Sequence, residues 1–431
     1  MNNVKESIMN GGYDSVFKAL YGESSVPYQQ KRYARLLDCF AETFPENKEQ
    51  PQFFSAPGRT ELGGNHTDHQ HGCVVAASVS MDIAAAAAPN GESVIRILSE
   101  GFPLTTVSLE DLSIKEDEKN KTPSLIRGVA AGMKERGYSI GGFDAYMTSD
   151  VLQGSGLSSS AAFEVAVGTI LNYLYNGNTI DPVTIAQIGQ YAENVYFGKP
   201  CGLLDQMACS VGGYVAIDFY NPEKPIVEKI DFDFSKSGYT MCIIDTKGSH
   251  ADLTDEYAAV PAEMKAVAAC FGRQFLREIP SQDFFEAMGG LRDKVSDRAL
   301  LRASHFYAEN TRAQQMAHAL RSQDFEGFMR LSSASGRSSY MYLQNVYACK
   351  DPDNQGVSLA LCAAERLLEN TGSFRVHGGG FAGTIQAFVP NDKVESFRQG
   401  MEKITGENTC HLLFIRPVGG VKVEERALWQ N

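Results

Sequence analysis

The sequence predicts a globular chain of mixed helices and strands in large units, and three observations carry that reading. Its 431 residues, 43% hydrophobic and 21% charged, can bury far more apolar surface than a small domain held by staples. Helix-spaced and strand-like hydrophobic patterns alternate along the chain. No segment of roughly 20 to 50 residues repeats, which excludes solenoids and propellers. The composition also excludes collagen, coiled coil and bulk disorder. The length suits two large or three smaller units, and a boundary is placed near residue 235, dividing 1–235 from 236–431.

Taking the elements in order, a helix is expected over Gln30 to Glu42, then a short strand at Phe53 to Ala56 running into a turn at Pro57-Gly58. Val74 to Val79 and Ile83 to Ala88 read as buried strands, although the alanine run fits a helix equally well. The charged stretch Ile114 to Thr122 reads as a solvated loop. Phe163, Val167, Ile170, Leu171 and Leu174 mark a helix between Ser160 and Asn178 with one face in a core. A second helix is expected from Pro182 to Phe197, with the proline in its first turn, and a strand at Val215 to Phe219. The second half opens with a strand, Thr240 to Thr246, followed by a helix carrying Tyr257, Val260, Met264, Val267 and Phe271. Further helices are expected within Arg298 to Leu331, Gly336 to Gln344 and Ser358 to Glu369, and strands at Thr384 to Val389 and Leu412 to Ile415.

Lysine and arginine number 39 against 52 acids, a net charge of −13 that argues against nucleic acid or an anionic membrane as partner. An anionic substrate must therefore be held by a local site. The nine cysteines are scattered without a CxxC pair and read as reduced thiols of a cytoplasmic protein. Met1 to Tyr21 carries Lys5, Glu6, Asp14 and Lys18 and no apolar core, so no secretory signal is expected. The apolar stretch near Ile83 to Pro89 is too short to span a bilayer.

Three segments carry chemistry. Gly154-Ser155-Gly156-Leu157-Ser158-Ser159-Ser160 leads directly into a helix. Its glycines allow close backbone approach, unsatisfied amides converge at the helix start, and its hydroxyls can donate to phosphate oxygens or complete a Mg²⁺ shell. The same start would serve as an ordinary helix cap. No G-x-x-x-x-G-K-[ST] is present and the third glycine of G-x-G-x-x-G is missing, so neither a Walker loop nor a dinucleotide fingerprint is supported. The segment from Ala56 to Gly72 gathers Arg59, Glu61, Asn65, His66, Asp68, His69 and His71, too polar a set for a core. The histidine spacing fits no closed zinc pattern, whereas Asp, Asn and His supply the donors and acceptors that a ring of hydroxyls needs; a self-bonded polar loop is the alternative. In the third, Gly378-Gly379-Gly380 precedes an apolar strand, as a tight bend or a backbone needing positive φ or close approach to a ligand.

In this order the segments resemble the three motifs of the galactokinase family of GHMP small-molecule kinases. The family's first motif is approximately A-P-G-R-V-N-L-I-G-E-H-T-D-Y, and this chain reads APGRTELGGNHTDH over 56–69. Its second, close to G-x-G-L-S-S-S-A-S-L-E-V-A, is matched by GSGLSSSAAFEVA, and its third, typically T-G-G-G-F-G-G, by HGGGFAG. A fourth segment, KPCGLLDQ over 199–206, is similar to the family's C-G-I-M-D-Q. The resemblance runs from about residue 53 to the C-terminus.

This resemblance implies a two-domain α+β fold. A ribosomal-protein-S5-like N-terminal half would carry motifs one and two and a ferredoxin-like C-terminal half motif three, with the active site in the cleft between them. It implies transfer of phosphate from ATP, with Mg²⁺, to the C1 hydroxyl of galactose by a monomer or weak dimer. Residue by residue, Asp205 would receive the hydroxyl proton beside Arg59, while Asn65, His66, Asp68, Gly202 and Tyr257 would contact the sugar. Gly154, Ser155, Gly156, Leu157, Ser158, Ser159 and Ser160 would line the nucleotide, with Gly378, Gly379 and Gly380 closing on it or shaping the sugar side, and Ser160 and Glu193 would hold Mg²⁺. Tyr257 equally fits the core stripe of its helix. The chain departs from the pattern at Glu61, where the family has asparagine, at Asn65, where it has glutamate, and at His69, where it has tyrosine. An exchanged acid and amide alters which sugar hydroxyls meet a charged acceptor. The alternatives are therefore a kinase for a related sugar such as N-acetylgalactosamine, or a non-catalytic sugar-sensing relative. The adenine pocket is not identifiable from sequence, and Trp429, the sole tryptophan, is terminal.

Overall fold

The structure, a computed structural model, describes residues 2–151, 157–199, 201–248 and 253–425. Three helices come first: α1 (Asn2–Met9), α2 (Asp14–Tyr21) and α3 (Val26–Thr43). Strands β1 (Gln52–Gly63), β2 (Cys73–Pro89), β3 (Val94–Ser99) and β4 (Thr105–Ser108) follow, then α4 (Thr122–Glu135) and β5 (Phe143–Ser149). Next come α5 (Ser159–Tyr175), α6 (Pro182–Tyr191), α7 (Leu204–Val211), β6 (Tyr214–Asp218) and β7 (Ile226–Ile230). The second half contributes β8 (Tyr239–Asp245), α8 (Thr254–Ala269), α9 (Ser281–Leu291), α10 (Asp297–Arg321), α11 (Phe325–Ser338) and α12 (Gly356–Leu368). It ends with β9 (Ser373–His377), β10 (Thr384–Pro390), α13 (Val394–Thr405), β11 (Cys410–Leu413) and β12 (Val421–Val423). Among the described residues no helix is long and apolar enough to cross a membrane.

Two sheets organise the chain. The first runs β12-β1-β2-β5-β3-β4, with β6 pairing β2 and β7 pairing β6; the second runs β11-β8-β10-β9. The two strands expected at Val74 to Val79 and Ile83 to Ala88 are one long strand, β2, whose pairing with β1 slips between Pro57↔Asp82 and Arg59↔Ser78. Pro57-Gly58 is accordingly no turn: β1 continues through it. The residues of β2 left out of register bond the returning C-terminal segment instead, with Ser80 N donating to Phe414 O at 2.8 Å and Val79 bridging Ile415. The chain end then adds β12 beside β1.

The alanine run sits between two layers. Ala85 and Ala87 face the main core with Phe54, α4 and α5, whereas Ala84, Ala86 and Ala88 face Tyr33, Leu37 and Phe53 beneath α1 to α3. A strand buried on both faces wants small side chains, and this packing overrides alanine's helix propensity.

Asp82 anchors the N-terminal helices through a buried polar cluster. Arg32 Nη1 donates to Asp82 Oδ1 at 2.7 Å, Tyr21 Oη donates to Asp82 Oδ2 at 2.6 Å, and Arg416 Nη1 lies 3.5 Å from Oδ2. Arg416 also donates to Ser55 Oγ at 2.7 Å and to the carbonyls of Val418 and Gly419, both at 2.8 Å. One carboxylate thus joins α2, α3, β1, β2 and the C-terminal return. Asp82→Ala leaves the buried Arg416 guanidinium without its counter-charge and Arg32 with Asp150 alone, and is expected to lower unfolding free energy by about 3–5 kcal/mol in urea titration; a loss below about 1 kcal/mol, the ceiling for an exposed pair, would contradict the anchoring role.

Candidate active site

The slip in β1 delivers Arg59 to the entrance of α5. Arg59 N donates to Leu157 O at 3.1 Å, and a Cβ on Gly58 would lie 2.8 Å from that same carbonyl, so only glycine lets the strand approach. The buried Arg59 side chain donates from Nε to Asp205 Oδ1 at 2.7 Å. Asp205 lies in the first turn of α7 with its side chain 34% exposed.

Ser158 occupies the N-cap position of α5 but does not cap it. Its backbone is left-handed, φ 59° and ψ 62°, and its hydroxyl donates to Asp205 Oδ2. A serine spent this way leaves the helix amides uncapped and holds a conformation uncommon for a residue with a Cβ. Burial pushes the Asp205 carboxyl up, but the Arg59 charge and the bonds from Arg59 and Ser158 outweigh it and hold its pKa below the ordinary value.

A second pair of oxygens lies beside the first. Ser160 Oγ donates to Glu193 Oε1 at 3.1 Å. Glu193 is buried on a π-helical turn, Ala192–Phe197, that continues α6 and completes the helix expected from Pro182 to Phe197. Gln206, the neighbour of Asp205, donates from Nε2 to Glu193 Oε2 at 2.8 Å and to Glu164 Oε2 at 3.0 Å. Burial, with the Glu193 charge adding to it, pushes the Glu164 carboxyl well above its ordinary pKa. The carboxylate and hydroxyl oxygens of Glu193 and Ser160 are hard donors that suit Mg²⁺, and the Lys199 ammonium lies 3.3 Å from the same Glu193 oxygen. The donor set therefore accepts a cation. Among the described residues no group of three or more His, Cys, Asp or Glu side chains gathers for a metal, and a Mg²⁺ that takes most of its shell from phosphate and water needs none.

The polar loop after β1 closes on the glycines of the third segment. His66 Nε2 pairs with Gly379 O at 2.9 Å. Burial keeps His66 below its ordinary pKa, so at neutral pH it donates Nε2–H to that carbonyl and presents Nδ1 as an acceptor. Tyr257 Oη donates to Gly380 O at 2.8 Å, and Asn65 Nδ2 donates to Gly378 O at 2.7 Å. The carbonyls of Gly378 and Gly379 thus meet the polar loop after β1, and that of Gly380 meets α8. Gly380 has φ +79°, and a Cβ there would lie 2.0 Å from Asn345 O. Asn65 is buried, and its amide also donates to Glu61 Oε1 at 3.0 Å and accepts from Asn345 at 2.9 Å and Ser339 at 3.3 Å. All four of its hydrogen-bonding positions are taken by protein.

Asp68 lies against Gly202: a Cβ at 202 would fall 1.9 Å from Asp68 Oδ2. Burial, with the Asp205 charge adding to it, raises the Asp68 carboxyl to about 6. Sequence reasoning missed Lys199, Gln206, Asn345, Arg375 and His377. Gln206 adjoins Asp205 in the chain, and Arg375 and His377 alternate along β9 just before the triple glycine. Arg375 donates to Glu61 Oε1 at 2.8 Å and His377 pairs with Thr60 Oγ1 at 3.0 Å. Of the expected nucleotide residues, Gly154, Ser155 and Gly156 lie outside the described residues, as does Trp429; Leu157 is buried and Ser159 opens α5.

Known proteins resemble this chain. Residues 38–89 match the galactokinase galactose-binding signature, and residues 124–213 match the GHMP kinases N terminal domain. A galactokinase of Glaesserella parasuis is 30% identical over 364 residues, 82% of this chain and 88% of that protein. The chain belongs to the galactokinase family. A galactokinase of Actinobacillus pleuropneumoniae is 31% identical over 83% of this chain and 91% of its own length. The crystal structure of Lactococcus lactis galactokinase complexed with galactose is 25% identical, superposes with a TM-score of 0.75, and covers 90% of this chain and 100% of its own. The α+β architecture is accordingly that of the GHMP kinases.

The raised Asp68 pKa has a consequence for the family's sugar loop. Between about pH 4 and 6 the folded chain holds a proton on Asp68 that the unfolded chain has released, so this group's contribution to stability falls as pH rises through that window. Asp68→Asn lacks that dependence. Urea titrations should show Asp68→Asn gaining on the wild type from pH 4 to pH 6.5; a pH-independent difference would refute the assignment.

Proposed function

We propose that the chain transfers the terminal phosphoryl group of ATP to the C1 hydroxyl of galactose, giving galactose 1-phosphate and ADP. One observation carries this reading. Asp205, fixed between Arg59 and Ser158, stands one residue from Gln206, which grips Glu193 beside Ser160. A proton acceptor and a cation site therefore share one wall. The activity named for the Glaesserella and Actinobacillus relatives, and the galactose in the Lactococcus complex, support the same reading.

Phosphoryl transfer is chiefly positioning and charge stabilisation. At neutral pH Asp205 is an anion, ready to accept the hydrogen bond of the C1 hydroxyl and then its proton as the oxygen attacks phosphorus. Arg59, permanently charged, holds that carboxylate in place and offsets negative charge developing beside it. Ser160 and Glu193 would hold Mg²⁺, which when bound neutralises phosphate charge. The backbone at the start of α5, from Leu157 to Ser160, cradles the phosphates. His66, Asp68, Gly202 and Tyr257 orient the sugar, with Gly378 to Gly380 fixing His66 and Tyr257 from behind. Asn65 acts by holding this loop. The two units divide near residue 235 with the site between them. The enzyme works in the cytoplasm as a monomer or weak dimer, on sugar and ATP.

A related sugar such as N-acetylgalactosamine is the second reading, favoured by Asn65 and Glu61. The acid at 61 is paired with Arg375 and the amide at 65 is consumed by protein, so neither offers a free carboxylate to a sugar hydroxyl. A sugar panel with radiolabelled ATP separates the two: preference for galactose is expected, and strong preference for another acceptor overturns the substrate assignment. Asp205→Asn should lower turnover in an ADP-coupled assay by about 10²- to 10⁴-fold while calorimetric galactose binding persists; full activity in this variant would overturn the role of Asp205.

A further inference from the structure

A chain with a net charge of −13 must recruit local cations to hold a triphosphate. Arg59 is buried and engaged with Asp205. Lys199 is placed differently. Its backbone is fixed, because Gly198 N and Lys199 N both donate to Glu193 O, at 3.0 and 3.1 Å. Its side chain is 62% exposed, and its ammonium reaches Glu193 Oε1 at 3.3 Å, the oxygen that Ser160 also bonds. The residue is thus a long, solvent-accessible arm on an anchored root, ending where a metal and phosphates would meet.

A lysine ammonium is charged at neutral pH. Bound to one carboxylate oxygen, it has further N–H groups to offer. A cation arriving at Glu193 and Ser160 repels it from that oxygen, and phosphate oxygens are the nearest new acceptors that the nucleotide brings.

We propose that Lys199 is a phosphate-binding residue of the nucleotide site, holding Glu193 in the free protein and passing to the nucleotide's phosphate oxygens when the metal-nucleotide complex binds. This assignment rests on the kinase reading above. Among the described residues it adds a mobile positive charge to the fixed one of Arg59, and it places that charge on the nucleotide side of Asp205.

Isothermal calorimetry on the full chain with MgADP tests it, using Lys199→Met and Lys199→Arg. Loss of a charged hydrogen bond to phosphate should weaken MgADP binding about tenfold or more in Lys199→Met, with Lys199→Arg retaining most of the affinity and galactose affinity unchanged in both. The KM for MgATP should rise with that for galactose constant. Wild-type affinity for MgADP in a Lys199→Met protein that still binds galactose would overturn the assignment. Equal weakening of galactose and MgADP would also overturn it, marking a merely structural role. Wild-type protein that binds MgADP but phosphorylates no sugar defeats the kinase reading instead, whatever Lys199 does.

Discussion

The ion pair between Arg59 and Asp205 is the contact on which the site depends. It ties the displaced half of β1 to the first turn of α7, two elements distant in the chain, at a point where the carboxylate keeps a third of its surface open. A fully buried pair would cost desolvation on both partners and offer nothing to a ligand. A fully exposed one would contribute little. Here the guanidinium is sealed and the carboxylate is not, so the fixed charge holds the open one. Ser158 adds a second constraint by taking a left-handed backbone and aiming its hydroxyl at the same carboxylate. Helix capping is forgone at that position in favour of the site.

Around this pair the polar side chains form two brackets. Gln206 holds Glu193 from within the helical layer and donates to Glu164 as well. Asn65, Asn345 and the carbonyls of Gly378 to Gly380 join the loop after β1 to the second sheet. The exchanged acid and amide at 61 and 65 fit the second bracket together: they hydrogen-bond each other, and Arg375 neutralises the acid. The charge of this pair sits at position 61, where Arg375 meets it.

The fold and much of the site are legible in the sequence, for reasons that differ by residue. Periodicity marks α5, and the serine run at its start points to an anion-binding entrance. Composition alone cannot decide the alanine run, because a strand packed on both faces satisfies the same small side chains as a helix. The Pro57-Gly58 pair reads locally as a turn. Distant segments let both strands continue: Leu157 accepts from Arg59 of β1, and the returning segment at Phe414 to Arg416 bonds the residues of β2 that β1 leaves out of register. The short helices α1 and α2 lack the length for a periodic signal. In the site, Arg59, Asp68 and Asp205 stand out by type and motif. Lys199 and Gln206 lie within the segment 199–206, but their partners, like that of Arg375, come from other parts of the chain and are not visible locally.

The central claim is that the sugar's C1 hydroxyl meets the carboxylate of Asp205 on the face opposite Arg59. A crystal structure with galactose and a nonhydrolysable ATP analogue measures this directly. The account predicts the C1 oxygen within about 2.6–3.2 Å of an Asp205 oxygen, between that oxygen and the terminal phosphorus. A sugar ordered with C1 turned away from Asp205, or seated against another surface, would contradict it.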